Sequence, residues 1–159
     1  MPELVLPTPA VRDSFLAGER AACAVDGTSR SWLDSAEADF DGHVARRRQT
    51  RRMWGVPTSE FWFVSGPVYY GAVTIRHQLT PQLRREGGHI GYVVMPAYRR
   101  SGHATAMLGG ACTICRAWGM ADLLLTCGED NTGSRRVIEA NGGVLAAVTD
   151  GICHYWIRQ

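Results

Sequence analysis

The sequence contains no lysine, and all 17 of its basic residues are arginine. It also lacks any apolar stretch near the ~20 residues that cross a bilayer, any low-complexity linker and any internal repeat. Its net charge of +2 is too small to make a nucleic acid the expected partner. Because lysine is missing from the whole chain, we attribute its absence to genome composition, although arginine does suit anionic ligands.

A length of 159 residues with 45% hydrophobic residues fits one domain, which we place at residues 1–159. The N-terminus has neither the basic nor the apolar region of a secretory signal. The five cysteines are an odd number in apolar surroundings, and Cys112 and Cys115 share an apolar helical face. We therefore expect a cytoplasmic protein with core thiols, no disulfide framework, no metal site and no membrane partner.

Hydrophobic periodicity predicts strands that alternate with helices and a closing hairpin, which is an α/β architecture with a mixed sheet. The predicted elements are a strand at 5–6, a helix after residue 9, one charged helix over 33–52, a hairpin at 60–64 and 68–75, a loop over 79–88, a strand at 90–95, a helix over 104–118, a strand at 123–125, a helix over 134–141, and a hairpin at 144–148 and 152–157 with an Asp-Gly turn.

The residues from Arg99 to Thr105 lie between a predicted strand and a predicted helix. A small-residue turn of this kind exposes unpaired main-chain N–H groups at the positive end of the helix dipole, where anions bind. The segment has neither the GxxxxGK[ST] spacing nor the lysine of a nucleoside-triphosphate loop. It therefore predicts a phosphate site of another class, and a merely tight connection is the alternative.

The pattern Arg99-x-x-Gly102-x-Ala104 resembles the signature of the GNAT superfamily of N-acetyltransferases, which wraps the pyrophosphate of acetyl-CoA. A second block, from Asn131 to Gly143, is similar to the later asparagine-helix-glycine segment of that family. The resemblance covers residues 60–159 well and the N-terminal third in outline. It implies an α+β fold with a mixed, mostly antiparallel sheet of six to seven strands flanked by about four helices.

The resemblance also implies how acetyl-CoA is held. The strand Tyr92–Val94 would pair with the pantetheine arm, and a main-chain N–H there would polarise the thioester carbonyl. Asn131 would bind the coenzyme arm, with helix capping as the alternative, and His103 would either touch a phosphate or face solvent. The implied coenzyme-binding residues are Tyr92, Val93, Val94, Arg99, Arg100, Ser101, Gly102, His103, Ala104, Thr105, Asn131 and Ser134.

Acyl transfer to an amine needs a base that takes the amine proton. His89, at the start of the central strand, is the first candidate because histidine titrates near neutrality. Glu86, in the adjacent polar loop, is the alternative base. A His89 that only hydrogen-bonds a neighbour at the loop edge is the non-catalytic interpretation.

The departing thiolate also needs a proton, and here the sequence differs from the family. A tyrosine often follows the family's asparagine by seven residues and protonates coenzyme A, but Ile138 occupies that position. Either Tyr92, Tyr98 or Tyr155 replaces it, or the thiolate leaves as an anion. We favour the anion at this point, because a thiol is a good leaving group near neutral pH.

The sequence thus predicts an acetyl-CoA-dependent N-acetyltransferase whose acceptor is a primary amine of a small metabolite or antibiotic, with a protein N-terminus also open. The resemblance implies that acceptor specificity lies in residues 11–52 and 77–88. A catalytically silent acyl-CoA-binding module is the main alternative, because Ile138 stands where the family often has its acid tyrosine. The arginine run 46–52 is interpreted as a solvated helix face, with a 3′-phosphate contact or RNA binding as alternatives. A homodimer stays open by analogy.

Overall fold

The computed structural model describes residues 1–159, with helices and strands interspersed along the chain. The helices are α1 Arg12–Asp26, α2 Ser31–Ala38, α3 Phe40–Arg47, α4 Pro81–Arg85, α5 His103–Ala117 and α6 Thr132–Ala140. The strands are β1 Glu3–Val5, β2 Arg51–Met53, β3 Val56–Ser65, β4 Val68–Arg76, β5 Ile90–Val94, β6 Asp122–Gly128, β7 Val144–Thr149 and β8 Ile152–Arg158. No helix has both the length and the apolar content to cross a membrane.

The strands form two antiparallel sheets that meet at one edge. The first sheet has the order β1-β3-β4-β5, with β2 also paired to β3, and the second has the order β6-β8-β7. Strands β5 and β6 touch where β5 begins: the main-chain N–H of His89 donates to the carbonyl of Leu124 at 2.8 Å, and the N–H of Leu124 donates to Nδ1 of His89 at 2.9 Å. No ladder joins the two strands beyond this contact, so a gap opens between them.

Gly88 allows this close approach of the two sheets. Its φ is +62°, a region that favours glycine, and a Cβ at this position would collide with the carbonyl oxygen of Leu124. The glycine pair that the sequence places before β5 therefore has a structural purpose.

Two hydrophobic cores hold the layers together. In the first, Met107 and Leu108 of α5 pack against residues of both sheets, such as Ile75 and Tyr155. Because α5 contacts both sheets, it holds them in place on either side of the gap. Full burial of each such side chain contributes about 1.5–3 kcal/mol.

The second core lies on the opposite face of the first sheet, under α1, α2 and α3. Neighbouring residues on a strand face opposite sides of a sheet, so Trp62 of β3 enters this core while Phe63 enters the first one. Phe15 of α1 stacks on Trp62 with 4.6 Å between ring centroids.

The α+β architecture agrees with prediction, with eight strands and six helices where the sequence predicted six to seven strands and about four helices. The hairpin of β3 and β4, strand β5, helix α5 and the Asp150-Gly151 turn between β7 and β8 agree with prediction. Cys112 and Cys115 are free thiols packed in the first core, as expected.

Two predicted segments were wrong. The single helix over 33–52 is two helices and a strand, because Asp39 adopts φ −144° and its Oδ1 accepts the N–H of Gly42, which starts α3. The loop over 79–88 contains α4, because Thr80 caps it by accepting the N–H of Leu83 and Pro81 occupies its first turn.

The arginine run 46–52 is not simply a solvated face. Arg47 and Arg51 lie 2.8 and 3.5 Å from Oε1 of Glu60, which is 8% exposed. Arg48 donates to the carbonyl of Pro7 at 2.7 Å. These three guanidinium groups therefore have partners inside the protein, which leaves them less free for an external phosphate than the sequence suggested.

Candidate active site

Strand β5 is bonded to β4 on one side and borders the gap on the other. Two hydrogen bonds flank the pairing: Arg76 N–H donates to the His89 carbonyl at 2.7 Å, and Met95 N–H donates to the Tyr70 carbonyl at 2.9 Å. Bonded and non-bonded pairs alternate along an antiparallel ladder, so alternate residues of β5 present their main-chain groups to the gap. These residues are Ile90, Tyr92 and Val94.

The main-chain groups of the predicted pairing segment Tyr92–Val94 therefore point in two directions, toward the gap and toward β4. Tyr92 and Val94 face the gap, and the carbonyl of Val94 accepts a hydrogen bond from Nε of Arg99 at 2.9 Å. Val93 bonds to β4 through its main chain, and its side chain is 40% exposed. An extended ligand in the gap would meet the main chain of two of the three residues.

The turn before α5 carries six consecutive main-chain N–H groups, from Arg100 to Thr105, and none of them donates a hydrogen bond within the protein. The first helical bond runs from Ala106 N–H to the Gly102 carbonyl. Gly102 is the N-cap, has φ +81° and supplies no capping side chain. Arg100 is also left-handed, with φ 61°. Free N–H groups in such a turn, at the positive end of a helix, form an anion site.

The side chains of this turn differ in what they contact. Arg99 is held by the Val94 carbonyl and lies 3.6 Å from the carboxylate of Asp26, so its guanidinium is directed by the protein. The ring of His103 packs against Tyr70 with centroids 4.7 Å apart, and His103 also lines the cavity beside this turn. The main-chain N–H of His103 is one of the six unpaired groups, whereas its ring packs against the sheet.

Asn131 and Ser134 begin α6, directly across the gap from β5. Oδ1 of Asn131 accepts the N–H of Ser134 at 3.1 Å, so the helix cap is present. The Oγ of Ser134 lies 2.7 Å from the hydroxyl of Tyr92. Burial raises the pKa of Tyr92, while the bond to Ser134 opposes that shift. This hydroxyl pair connects β5 to α6 across the gap.

The two candidate bases occupy different environments. His89 is 9% exposed, and its Nδ1 accepts the N–H of Leu124, which requires that nitrogen to be unprotonated. Burial, assisted by the charge of Arg84, lowers the pKa of His89 to about 4. Glu86 is exposed and forms no salt bridge. The neutral imidazole thus fastens the two sheets together, while the carboxylate faces open space.

Ile138 is 1% exposed and packs in the first core, so that position has no proton to give. Of the three tyrosines considered as replacements, only Tyr92 lies between β5 and β6. Tyr98 packs on Tyr70 at 4.6 Å between centroids. Tyr155 is fully buried, and its hydroxyl accepts a hydrogen bond from Arg135 Nε at 3.0 Å.

Three cavities follow one another through the gap. The loop cavity, about 450 Å³, is bordered by β5, residues 98–105 and the start of α6. The gap cavity, about 320 Å³, lies between β5 and β6. The outer cavity, about 680 Å³, is bordered by α4, the β2–β3 turn and the β7–β8 turn. Tyr92 and Ser134 line both the loop and gap cavities, whereas Arg76 and Glu86 line both the gap and outer cavities.

The sequence did not indicate four residues of the outer cavity: Trp54, Arg76, Asp150 and His154. They come from strands and turns far apart in the chain, and no local spacing links them. Trp54-Gly55 was the available signal, because a two-residue turn with both φ values positive, 53° and 78°, is the hairpin turn between β2 and β3.

Comparisons with known proteins agree with this geometry. A family model described as "Acetyltransferase (GNAT) domain" matches residues 9–144. No curated protein matches the sequence.

Several solved structures have a similar fold at low identity. The microcin C7 self-immunity acetyltransferase MccE, in complex with acetyl-CoA and AMP, has a TM-score of 0.68 at 13% identity, with 98% of this chain and 91% of that chain covered. The ribosomal L7/L12 α-N-protein acetyltransferase RimL, in complex with coenzyme A, has a TM-score of 0.68 at 15% identity, with 98% of this chain and 92% of that chain covered. RimJ of Mycobacterium smegmatis has a TM-score of 0.67 at 18% identity, with 99% of this chain and 85% of that chain covered.

Proposed function

Because the chain belongs to the GNAT acetyltransferase family, we propose that it moves an acetyl group from acetyl-CoA to a primary amine of a small molecule, by direct attack in a ternary complex. The observation that carries the proposal is the run of six unpaired N–H groups from Arg100 to Thr105 at the mouth of the loop cavity. Solved relatives of the same fold hold acetyl-CoA or coenzyme A.

The residues of the turn fit a diphosphate. The N–H groups from Arg100 to Thr105 would bind its oxygens. The space beside Gly102 is open, because a Cβ on Gly102 would meet nothing within 4 Å. Tyr92 and Val94 would pair with the amides of the pantetheine arm in the manner of an added strand. Asn131 would contribute its free amide NH₂, since only its Oδ1 is used in the cap.

The gap cavity is then the reaction chamber. The main-chain N–H of Tyr92 would donate to the thioester carbonyl oxygen, where negative charge develops as the amine attacks. The amine nitrogen would arrive from the outer cavity, whose volume of about 680 Å³ is in the range of small-molecule sites. Holding both reactants in one passage removes much of the entropic barrier.

The two proton transfers would use residues on opposite sides of the gap cavity. Glu86, which lines the gap and outer cavities, would take the proton from the attacking nitrogen. His89 is the less suitable base, because its Nδ1 is occupied and its pKa is about 4. As the N–C bond forms and the C–S bond breaks, the Tyr92 hydroxyl, relayed by Ser134, would protonate the sulfur. Solvent then returns the proton from Glu86 to Tyr92.

We place the reaction in the cytoplasm. All five cysteines are free thiols and four of them are buried. This pattern is typical of proteins in reducing compartments, where disulfides rarely persist.

Calorimetry with acetyl-CoA tests the donor site. Ala104→Glu introduces a carboxylate beside the free N–H groups and should raise the Kd by at least about tenfold, while the helix itself is stabilised by an acidic group in its first turn. Thr113→Glu, on an exposed turn of α5, is the matched control and should bind normally.

Thiol release with small amines, and with a short peptide bearing a free N-terminus, tests the reaction. Turnover of small amines is expected. Absence of acetyl-CoA binding would overturn the proposal, and tight binding without turnover of any amine would favour a silent acyl-CoA-binding module instead.

A further inference from the structure

Arg76, the last residue of β4, carries a half-buried charge that no carboxylate neutralises. Its Nη1 donates to the carbonyls of Gly87 and Gly88 at 2.9 and 3.2 Å. A guanidinium has five N–H donors, and the protein uses only these two. Nε is buried without a partner, and no acidic oxygen lies within 4.0 Å.

Trp54 is the aromatic neighbour of this guanidinium. The indole lies against Arg76 with 4.5 Å between the guanidinium carbon and the ring centroid. Trp54 occupies a left-handed position, φ 53°, in the β2–β3 turn and is 49% exposed. A bulky residue rarely adopts this conformation, and such outliers cluster at functional sites. The stacked arginine is therefore pre-oriented in the wall that the gap and outer cavities share.

The rest of the outer cavity is also lined by charges that the protein leaves unpaired. Arg84 and Arg85, on α4, form no salt bridge, and neither do Glu86 and Asp150 on the same walls. His154 adds a ring whose Nε2 contacts the carbonyl of Arg85 at 2.9 Å. A ligand that carries both a positive and a negative charge would pair with the arginine and carboxylate side chains that have no partner in the protein.

We propose that the acceptor amine also carries an anionic group, a carboxylate or a phosphate, which Arg76 binds together with Arg84 or Arg85 while Glu86 faces the nitrogen. This inference rests on the proposed acetyl transfer and names its substrate class. The Nη2 of Arg76 has no partner in the protein, so it can donate to either oxyanion in a charge-assisted hydrogen bond, because Nη1 is already used and Nε is buried. Because Arg76 also lines the gap cavity, the anionic group would lie close to the reacting nitrogen, as in an α-amino acid or a phosphorylated amino alcohol.

The cost of leaving Arg76 uncompensated supports this assignment. Burial lowers the pKa of Arg76, which shows that the charged form is held in an unfavourable place. A buried charge persists where a partner compensates it. An arriving oxyanion would remove that penalty, whereas a neutral amine would leave it in place.

The experiment compares amines with and without the anionic group, with thiol release from acetyl-CoA as the readout and kcat/KM expressed per unprotonated amine. L-methionine is paired with L-methioninamide, and O-phosphoethanolamine with ethanolamine. We expect kcat/KM to be at least about tenfold higher for the anionic member of one pair, and the responding pair distinguishes carboxylate from phosphate. Arg84→Gln, Arg85→Gln and Arg76→Gln should bring that ratio toward one, mainly through KM.

Arg30→Gln is the matched control, since Arg30 is exposed and lies outside the outer cavity, and it should keep the wild-type ratio. Arg76→Gln also removes two hydrogen bonds to the loop, so the surface variants Arg84→Gln and Arg85→Gln keep the test independent of folding. Equal rates for both members of each pair would overturn the inference and leave the acetyl transfer standing. Turnover of no amine by a protein that binds acetyl-CoA would overturn both.

Discussion

His89 and Leu124 fasten the two sheets together at the closed end of the gap: each donates its main-chain N–H to the other residue, to a carbonyl in one case and to a ring nitrogen in the other. His89→Ala would leave the N–H of Leu124 buried and unsatisfied and would open a small cavity. We expect a loss of about 2 kcal/mol in the free energy of unfolding, measured with denaturant.

His89→Asn is the informative partner variant, because an asparagine Oδ1 can accept the same N–H bond. We expect it to recover roughly half of the stability lost by the alanine variant and to keep most of the acetyl-transfer rate. A stable His89→Asn protein with a rate reduced a hundredfold would instead make His89 the base.

The free energy of unfolding should decrease as the pH is lowered below neutrality. Burial is the main cause that lowers the pKa of His43 and of His89 to about 4, assisted by Arg47 and Arg84 respectively. An unfolded histidine titrates near 6.5, so between pH 6.5 and 4 the unfolded chain binds more protons. The stability is complete above pH 6.5 and is lost as the pH falls toward 4.

Urea unfolding at several values between pH 7 and pH 4.5 measures this loss. His43→Phe, which replaces a ring whose Nε2 has no partner, should weaken the pH dependence, and adding His89→Asn should weaken it further. Comparison with wild type cancels other groups, such as Glu19, whose pKa is raised by burial. An unchanged slope in the double variant would show that these histidines are not the cause.

The sequence located the turn before α5 far better than it located the outer cavity, for a physical reason. The anion turn is local: Arg100 to Thr105 are consecutive, and the free N–H groups follow from one strand-to-helix turn. The outer cavity is non-local, since Trp54 and Arg76 meet only because β2, β3 and β4 are paired. The break at Asp39 was missed because its side chain caps a helix inside a continuous charged pattern.

The same contrast applies to His89. Its position at the start of β5 was evident from the sequence, but its hydrogen bond to Leu124 depends on a contact 35 residues away. That contact occupies the nitrogen a base would use. The local sequence pattern gives the position of such a residue but does not show which distant residue it hydrogen-bonds.

Glu86→Gln should impair the reaction without affecting the donor site. Loss of a general base costs typically 10²–10⁴-fold, so we expect kcat/KM for the amine to fall in that range. The Kd for acetyl-CoA should change little, because Glu86 does not line the loop cavity, where the diphosphate is proposed to bind. Glu139→Gln, an exposed carboxylate on α6, is the control. Full activity in Glu86→Gln would return the role to His89 or to an ordered water.

The hydroxyl pair of Tyr92 and Ser134 makes the last prediction. Tyr92→Phe and Ser134→Ala should each lower kcat by about tenfold, and the double variant should be little worse than either, because groups that act as one unit are not additive. The hydroxyls lie 2.7 Å apart, so the loss of either one interrupts the same proton path. Rapid-quench measurement of the acetyl-transfer step separates this effect from product release. Independent, multiplying losses would mean that the two residues only position the thioester, and an unchanged kcat in both would mean that the thiolate departs as an anion.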